Sequence, residues 1–178
     1  MRVGIAGVGG IGSNVAVNLV RSGIKKFTLV DFDRVEASNL NRQFYFADQV
    51  GGFKVDMLRE NLLRICPGLK ITTIADRLTD SNLMSCFSDC SVIVEGFDKA
   101  EEKKMLLEEF AGDRRLVVSA SGIAGSSVQS ISIRNYGNFS IVGDFVSDCN
   151  KEKLYSHKVL AVAAFMTEKI LAECGCYE

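Results

Sequence analysis

The stretch Arg2–Asp31, RVGIAGVGGIGSNVAVNLVRSGIKKFTLVD, decides the fold. Arg2–Ala6 is an apolar run that reads as a strand. Gly7–Gly12 is a glycine-rich turn, and Ser13–Ser22 places Val15, Leu19 and Val20 on one face of a helix. Phe27–Asp31 is a second strand, rich in aromatic and aliphatic residues. A strand–helix–strand unit of about 30 residues requires a parallel pair and a right-handed crossover.

The turn Gly7-Val8-Gly9-Gly10-Ile11-Gly12 fits G-x-G-x-x-G. Gly7 permits the tight turn, Gly9 lets backbone approach a phosphate, and Gly12 lets helix and strand pack closely. With Gly10 they form a candidate phosphate cradle, because a helix start offers unpaired N–H groups and partial positive charge. Asp31 follows Gly12 by 19 residues and ends the second strand, where an acidic side chain commonly accepts ribose hydroxyls. This pattern indicates an adenine nucleotide. It does not separate NAD, FAD and ATP.

Outward from this unit, Phe53–Ile65 reads as a helix stopped by Pro67 and Gly68, and Leu69–Ile74 as a third strand. Asp80–Phe87 reads as a short helix capped by Thr79 or Asp80. Ser91–Glu95 and Leu116–Ala120 are further strands, with a charged helix over Lys99–Phe110 between them. Val128–Ile133 alternates polar and apolar residues, as a half-exposed antiparallel strand does, and Phe139–Val142 is its candidate partner. Lys158–Ala172 is an apolar-rich helix expected to pack on the sheet. The expected fold is one α/β domain over residues 1–178, a doubly wound, Rossmann-like, mainly parallel sheet with an antiparallel C-terminal extension.

The crossover Asp31–Lys54, DFDRVEASNLNRQFYFADQVGGFK, gathers Asp31, Asp33, Asn39, Asn41, Arg42, Gln43 and Lys54. Arg42 offers a planar fork for phosphate oxygens and Lys54 a compact mobile charge. Asn39 and Gln43 add neutral donors. Two cations with several amides suit a triphosphate better than a dinucleotide already held by the loop; the bland reading is a solvated loop with surface charges.

The glycine loop with Ser13, the DFD of Asp31–Asp33, and Ser38-Asn39-Leu40-Asn41-Arg42-Gln43 closely resemble the ubiquitin-activating-enzyme-like superfamily, above all its ThiF and MoeB members. Val50-Gly51-Gly52 before Lys54, and Asp98 after the fourth strand, extend the likeness over about Arg2 to Ser121. Glu95–Lys103, Ser119–Ser126 and Gly143–Val146 resemble the short ThiF-like proteins. The resemblance implies ATP and Mg2+ as cofactors, with Asp31 on the ribose. Asn39, Arg42 and Gln43 would contact phosphates, Lys54 the leaving pyrophosphate, and Asp98 the magnesium. Arg42, Lys54 and Asp98 would carry catalysis. The implied activity is adenylation of the C-terminal glycine of a ubiquitin-like, ThiS-like sulfur carrier in thiamine thiazole synthesis, by a homodimer.

Where the family usually has Asn after the magnesium aspartate, this sequence has Lys99. It lacks both C-x-x-C pairs of the zinc-binding members, so no zinc site is expected. Cys149 is the only candidate for the family's later cysteine. An arginine that often precedes the first strand has only Arg2 as counterpart. His157 has no evident duty, since an attacking carboxylate is already ionised at neutral pH.

Composition is permissive. The 178 residues are 47% hydrophobic with one proline, which suits a packed domain. A net charge of −1 gives no electrostatic reason to expect nucleic acid or a membrane surface as partner. No apolar run approaches the roughly 20 residues of a bilayer span, and no signal peptide is recognised. The six cysteines, unpaired in spacing, read as reduced thiols of a cytoplasmic protein. Three other functions fit parts of the pattern: activation of a non-protein carboxylate such as a modified tRNA base, a non-catalytic heterodimer subunit, and an NAD-dependent oxidoreductase.

Overall fold

The computed structural model describes residues 1–175, so Cys176 lies outside the described residues. Seven strands form one sheet in the order β3-β2-β1-β4-β5-β7-β6. The strands are β1 Val3–Ala6, β2 Lys26–Val30, β3 Lys70–Ile74, β4 Val92–Glu95, β5 Leu116–Ala120, β6 Ser132–Tyr136 and β7 Phe139–Gly143. The helices are α1 Gly10–Arg21, α2 Lys54–Ile65, α3 Leu83–Cys86, α4 Ala100–Glu109 and α5 Ser156–Glu173. Every pairing is parallel except β6 with β7. The doubly wound reading holds, and the antiparallel extension is a single edge strand, because β7 runs parallel to β5.

Alternation along the strands divides the core between two faces. Val3 and Ile5 of β1 face α1, α2 and α5, where Val15, Leu19, Leu58, Leu62, Val162 and Met166 are buried. Ala6 and Ile93 face the other side, covered by Leu83, Phe87, Leu106 and Phe110 of α3, α4 and their flanks. Gly4 lies against Phe87: a Cβ there would come 2.5 Å from the ring. The chain winds outward from β1 to β3, then crosses back to β4 beside β1. That reversal opens a crevice at the carboxyl ends of β1 and β4, the usual ligand position in such sheets.

Four elements differ from the sequence reading by more than one residue at a boundary. Helix α1 starts at Gly10, since the last glycines of the loop form its first turn. The third helix shrinks to Leu83–Cys86 and has no side-chain cap. Thr79 pairs its hydroxyl with that of Ser81, while its N–H donates to Asn82 Oδ1. Strand β6 begins at Ser132, not Val128. A two-residue turn, Gly137–Asn138, joins β6 to β7 and pairs Tyr136 with Phe139, so register is counted back from the turn. Helix α5 extends two residues earlier than expected.

Past β5 and β7, two loops interlock around a buried lysine. Lys158 Nζ donates to Asp144 Oδ2 at 2.5 Å and to the Ala124 carbonyl. Asp144 also accepts the N–H groups of Val146 and Ser147, each at 2.9 Å. Burial pulls the Asp144 carboxyl upward, but Lys158 and these donors outweigh it and hold the group below the ordinary carboxylate range. Phe145 takes a left-handed φ of 63°, with the Arg134 guanidinium 3.9 Å from its ring centre.

A carboxyl depressed in the folded state contributes stability above its unfolded value of 3.8 and loses it as pH falls through its folded value. The stability gap between wild type and Asp144→Asn should therefore be widest near neutrality and shrink below about pH 4, measured by urea unfolding across pH. A gap that stays constant into acid contradicts the assignment.

Candidate functional site

The crevice between β1 and β4 is lined by Gly7, Gly9, Gly10, Asp31, Asp33, Arg42, Gln43, Lys54 and Asp98. Nine of the twelve residues singled out in the sequence, from the cradle, the crossover and Asp98, thus meet in one cleft; Asn41, which accepts from Arg42, is outside the lining. Gly12 and Asn39 stand behind it. Gly12 packs the helix onto the loop: a Cβ there would lie 2.0 Å from the Gly7 oxygen. Asn39 folds its carboxamide into its own turn, accepting the Glu36 N–H at 3.1 Å. It shapes the loop that presents Arg42 and Gln43, whose N–H groups both reach the Asn39 carbonyl.

Asp31 fastens the glycine loop. Its Oδ2 accepts the Val8 N–H and its Oδ1 the Asp33 N–H, both at 2.8 Å. Burial raises its pKa, opposed by the Asp33 N–H, the Lys54 charge and the Val8 N–H. Each oxygen keeps a lone pair for a hydroxyl from the cleft. Tyr45, unnoticed in the sequence, closes the loop's other side by donating to the Val8 carbonyl at 2.7 Å. Burial, with Asp31 and Asp33 nearby, lifts its pKa well above the usual value, so it stays a phenol donor. Asn14 donates to the Arg42 carbonyl at 2.8 Å, and Ser13 Oγ accepts the Phe44 N–H at 3.1 Å. The cationic crossover is therefore stitched to α1 by neutral side chains.

Lys54 is the first residue of α2 and nearly buried; its Nζ pairs with Asp33 Oδ2 at 2.9 Å. Arg42 holds the Ser38 carbonyl and Asn41 Oδ1. Gln43 Oε1 is buried with no hydrogen-bond partner, and a buried polar atom left so costs about 1–3 kcal/mol. Asp98 is exposed at the cleft and makes no hydrogen bond or ion pair among the described residues.

One wall was illegible in the sequence. Phe32, Asp76, Arg77, Leu78, Phe97, Lys99, Glu102, Ile123, Leu154 and Val159 line it, and Ile11, Val30 and Gly96 complete the lining beside the glycine loop. Arg77 lies 4.0 Å over the Phe32 ring and pairs with Glu102 at 2.7 Å. The wall residues follow β2, β3, β4 and β5, or come from α4, α5 and the loop before α5, so only the tertiary fold unites them. The rule that ligands sit at strand carboxyl ends was the available signal. Lys99, a departure from the family pattern, also faces this cleft.

Other candidates lie elsewhere. Cys149 is exposed on the loop between β7 and α5 and is not part of the lining. His157 is the second residue of α5, with its Nε2 2.7 Å from the Ser126 carbonyl. Arg2 is tied to the Phe27 carbonyl and Asp89 at the amino end of β1, away from the loop. Among the described residues, no group of three or more His, Cys, Asp and Glu side chains could hold a metal ion. No described helix is long and apolar enough to cross a membrane.

A doubly wound sheet with a glycine-loop cleft at its switch point defines an α/β nucleotide-binding class. The chain belongs to the ThiF family, whose model matches residues 1–168. It is 31% identical over 123 residues to the tRNA threonylcarbamoyladenosine dehydratase of Escherichia coli, covering 68% of this chain and 46% of that protein. It is 36% identical over 106 residues to the molybdopterin-synthase adenylyltransferase of Salmonella typhimurium, covering 59% and 43%. The chain thus spans less than half the length of both. The crystal structure of the E. coli dehydratase with AMP superposes with a TM-score of 0.86 at 20% identity, over 98% of this chain and 87% of that one. The same enzyme is also known with ATP, at a TM-score of 0.84 and 20% identity over 99% and 88%.

The Lys54–Asp33 pair predicts how the cleft meets an anion. A Lys54 that meets an anion in the cleft would exchange Asp33 for it. Asp33→Asn should bind inorganic pyrophosphate about two- to fivefold more tightly than wild type, the worth of a half-exposed ion pair, in isothermal titration. Unchanged or weaker binding places Lys54 outside the anion site.

Proposed function

We propose that this chain adenylates a carboxylate with ATP and magnesium, and that the carboxylate is the C-terminal glycine of a ThiS-like, ubiquitin-like sulfur carrier in thiamine thiazole synthesis. The observation that carries this reading is one cleft holding the glycine loop, Arg42, Lys54 and an unpartnered Asp98. Membership of the ThiF family and the likeness to an adenylyltransferase support it.

The residues fit the groups they would hold. ATP is a substrate here. Asp31 has lone pairs to spare for ribose hydroxyls, the loop N–H groups and Arg42 face the phosphates, and Gln43 brings an amide whose oxygen has no protein partner. Lys54 would take the leaving pyrophosphate. Magnesium is commonly held by one or two carboxylates together with phosphate oxygens and water, which suits a lone free Asp98. When bound, it neutralises phosphate charge.

Attack by a carboxylate on a phosphorus brings like charges together, with pyrophosphate as the leaving group. Catalysis is then positioning and electrostatic stabilisation, which fixed cations and backbone donors supply. No general base is needed, because the attacking carboxylate is already ionised at neutral pH. A NAD-dependent reaction leaves Arg42, Lys54 and Asp98 without a role.

A second reading draws on the overlay with a tRNA-modifying enzyme: the carboxylate belongs to a modified tRNA base. Carrier-dependent ATP–pyrophosphate exchange supports the carrier, whereas tRNA-dependent ATP consumption supports the base. Arg42→Ala and Asp98→Ala should each lower the rate about 100-fold or more. Full activity in both variants would sink the site assignment. Stronger thermal protection by NAD than by ATP with magnesium would sink the adenylation reading itself.

A further inference from the structure

Glu95 ends β4 and is wholly buried, at 0% exposure. A carboxylate taken out of water must be paired and hydrogen-bonded. Its Oε2 accepts from Lys103 Nζ and, at 2.5 Å, from the Ser119 hydroxyl. Its Oε1 accepts the Phe97 N–H at 2.8 Å. Lys103 comes from α4 and also donates to the Ala120 carbonyl at 3.0 Å. One carboxylate therefore joins the ends of β4 and β5, the flank of α4, and the loop between β4 and α4.

That loop is Gly96–Lys99, and all four of its residues line the cleft. Gly96 sits hard against the glycine loop: a Cβ there would lie 2.6 Å from the Gly7 oxygen. Asp98 has no side-chain partner of its own, so its position depends on the backbone that carries it. That backbone is held by the Gly96 N–H donating to the Ala6 carbonyl at 2.8 Å, the Lys103 N–H donating to the Lys99 carbonyl at 3.1 Å, and the Phe97 N–H donating to Glu95, the one of the three made by a side chain.

Fold stability does not explain the choice of charged residues. Well-packed apolar side chains in place of a buried ion pair are often neutral or stabilising. They cannot, however, accept the Phe97 N–H. Lys103 also neutralises Glu95, so no unpaired buried charge lies behind a site meant for a polyanion.

We propose that Glu95 and Lys103 are positioning residues that hold the Gly96–Lys99 loop so that Asp98 meets metal-bound phosphate. The inference rests on the ATP–magnesium reading above.

Two conservative variants separate reach from charge. Glu95→Gln keeps an acceptor at the length that reaches the Phe97 N–H; the freed Lys103, 27% exposed, turns to solvent. Glu95→Asp keeps the charge and withdraws the acceptor. Binding of a fluorescent ATP analogue is measured with and without magnesium, alongside urea unfolding. In wild type, magnesium tightens binding. In Glu95→Asp that magnesium-dependent gain should fall about fivefold, the worth of one hydrogen bond. Metal-free affinity, set by the glycine loop and Asp31, should stay within about twofold. Glu95→Gln should keep most of the gain.

A Glu95→Asp protein with the full wild-type gain overturns the proposal. So does one that loses metal-free and magnesium-dependent binding alike, and so does a Glu95→Gln protein no better than Glu95→Asp. If Glu95→Asp does not fold, Lys103→Gln carries the same test, and an undiminished gain there overturns it. A wild-type protein without magnesium-dependent ATP binding removes the parent reading and this inference together; retained wild-type binding with unaltered variants removes this inference alone.

Discussion

The Gly7 carbonyl oxygen is the point on which the rest of the structure leans. A Cβ on Gly12 would approach it to 2.0 Å and one on Gly96 to 2.6 Å. Gly7 itself adopts φ 83°, and its N–H reaches the Val30 carbonyl at 2.8 Å. Three backbone segments, from the glycine loop, α1 and the end of β4, therefore meet where side chains cannot fit. This close approach brings the start of α1 and the Asp98 loop to the two sides of one crevice. Asp31 and Tyr45 then hold Val8 through its N–H and its carbonyl, so the loop is braced before any ligand arrives.

Bracing recurs in the charged groups. Lys54 waits against Asp33, Asp31 is engaged by two N–H groups, and Glu95 is shared among three donors. Asp98 at the cleft mouth and the Gln43 oxygen have no protein partner among the described residues. The pattern is that of a preorganised site, in which ordering of most polar groups is complete before binding. Lys158 and Asp144 do the same on the far wall, locking the loops that carry Ile123 and Leu154 into the lining.

Relatives that share this fold act on different substrates, as a tRNA dehydratase and a molybdopterin-synthase adenylyltransferase illustrate. In this chain the cleft wall includes Lys99, and Arg77 stacked on Phe32 and bound to Glu102.

Local pattern and tertiary contact divided the information cleanly. The period of apolar residues and the glycine spacing determined the strand–helix–strand unit, the parallel sheet and the cradle residues, because those depend on neighbours within a few turns of chain. The crossover from Asp31 to Lys54 was also legible, its polar residues being too concentrated for a plain connection. Asn39 lies outside the cleft lining, and its place was not legible because a side chain that shapes a turn and one that meets a ligand carry the same letter. The start of β6 was missed because register is set by the Gly137–Asn138 turn, while alternation alone fits either start. Glu95 with Lys103, and Asp144 with Lys158, gave no local signal: an ordinary acid and an ordinary lysine become buried partners only when the sheet order brings strand ends and helices together. The sequence by itself determined a ThiF-family α/β fold and most of the residues that line its cleft. Tertiary structure alone decided which charges are spent on the fold and which stay open to the cleft, since pairing of buried charge is a property of distance in space.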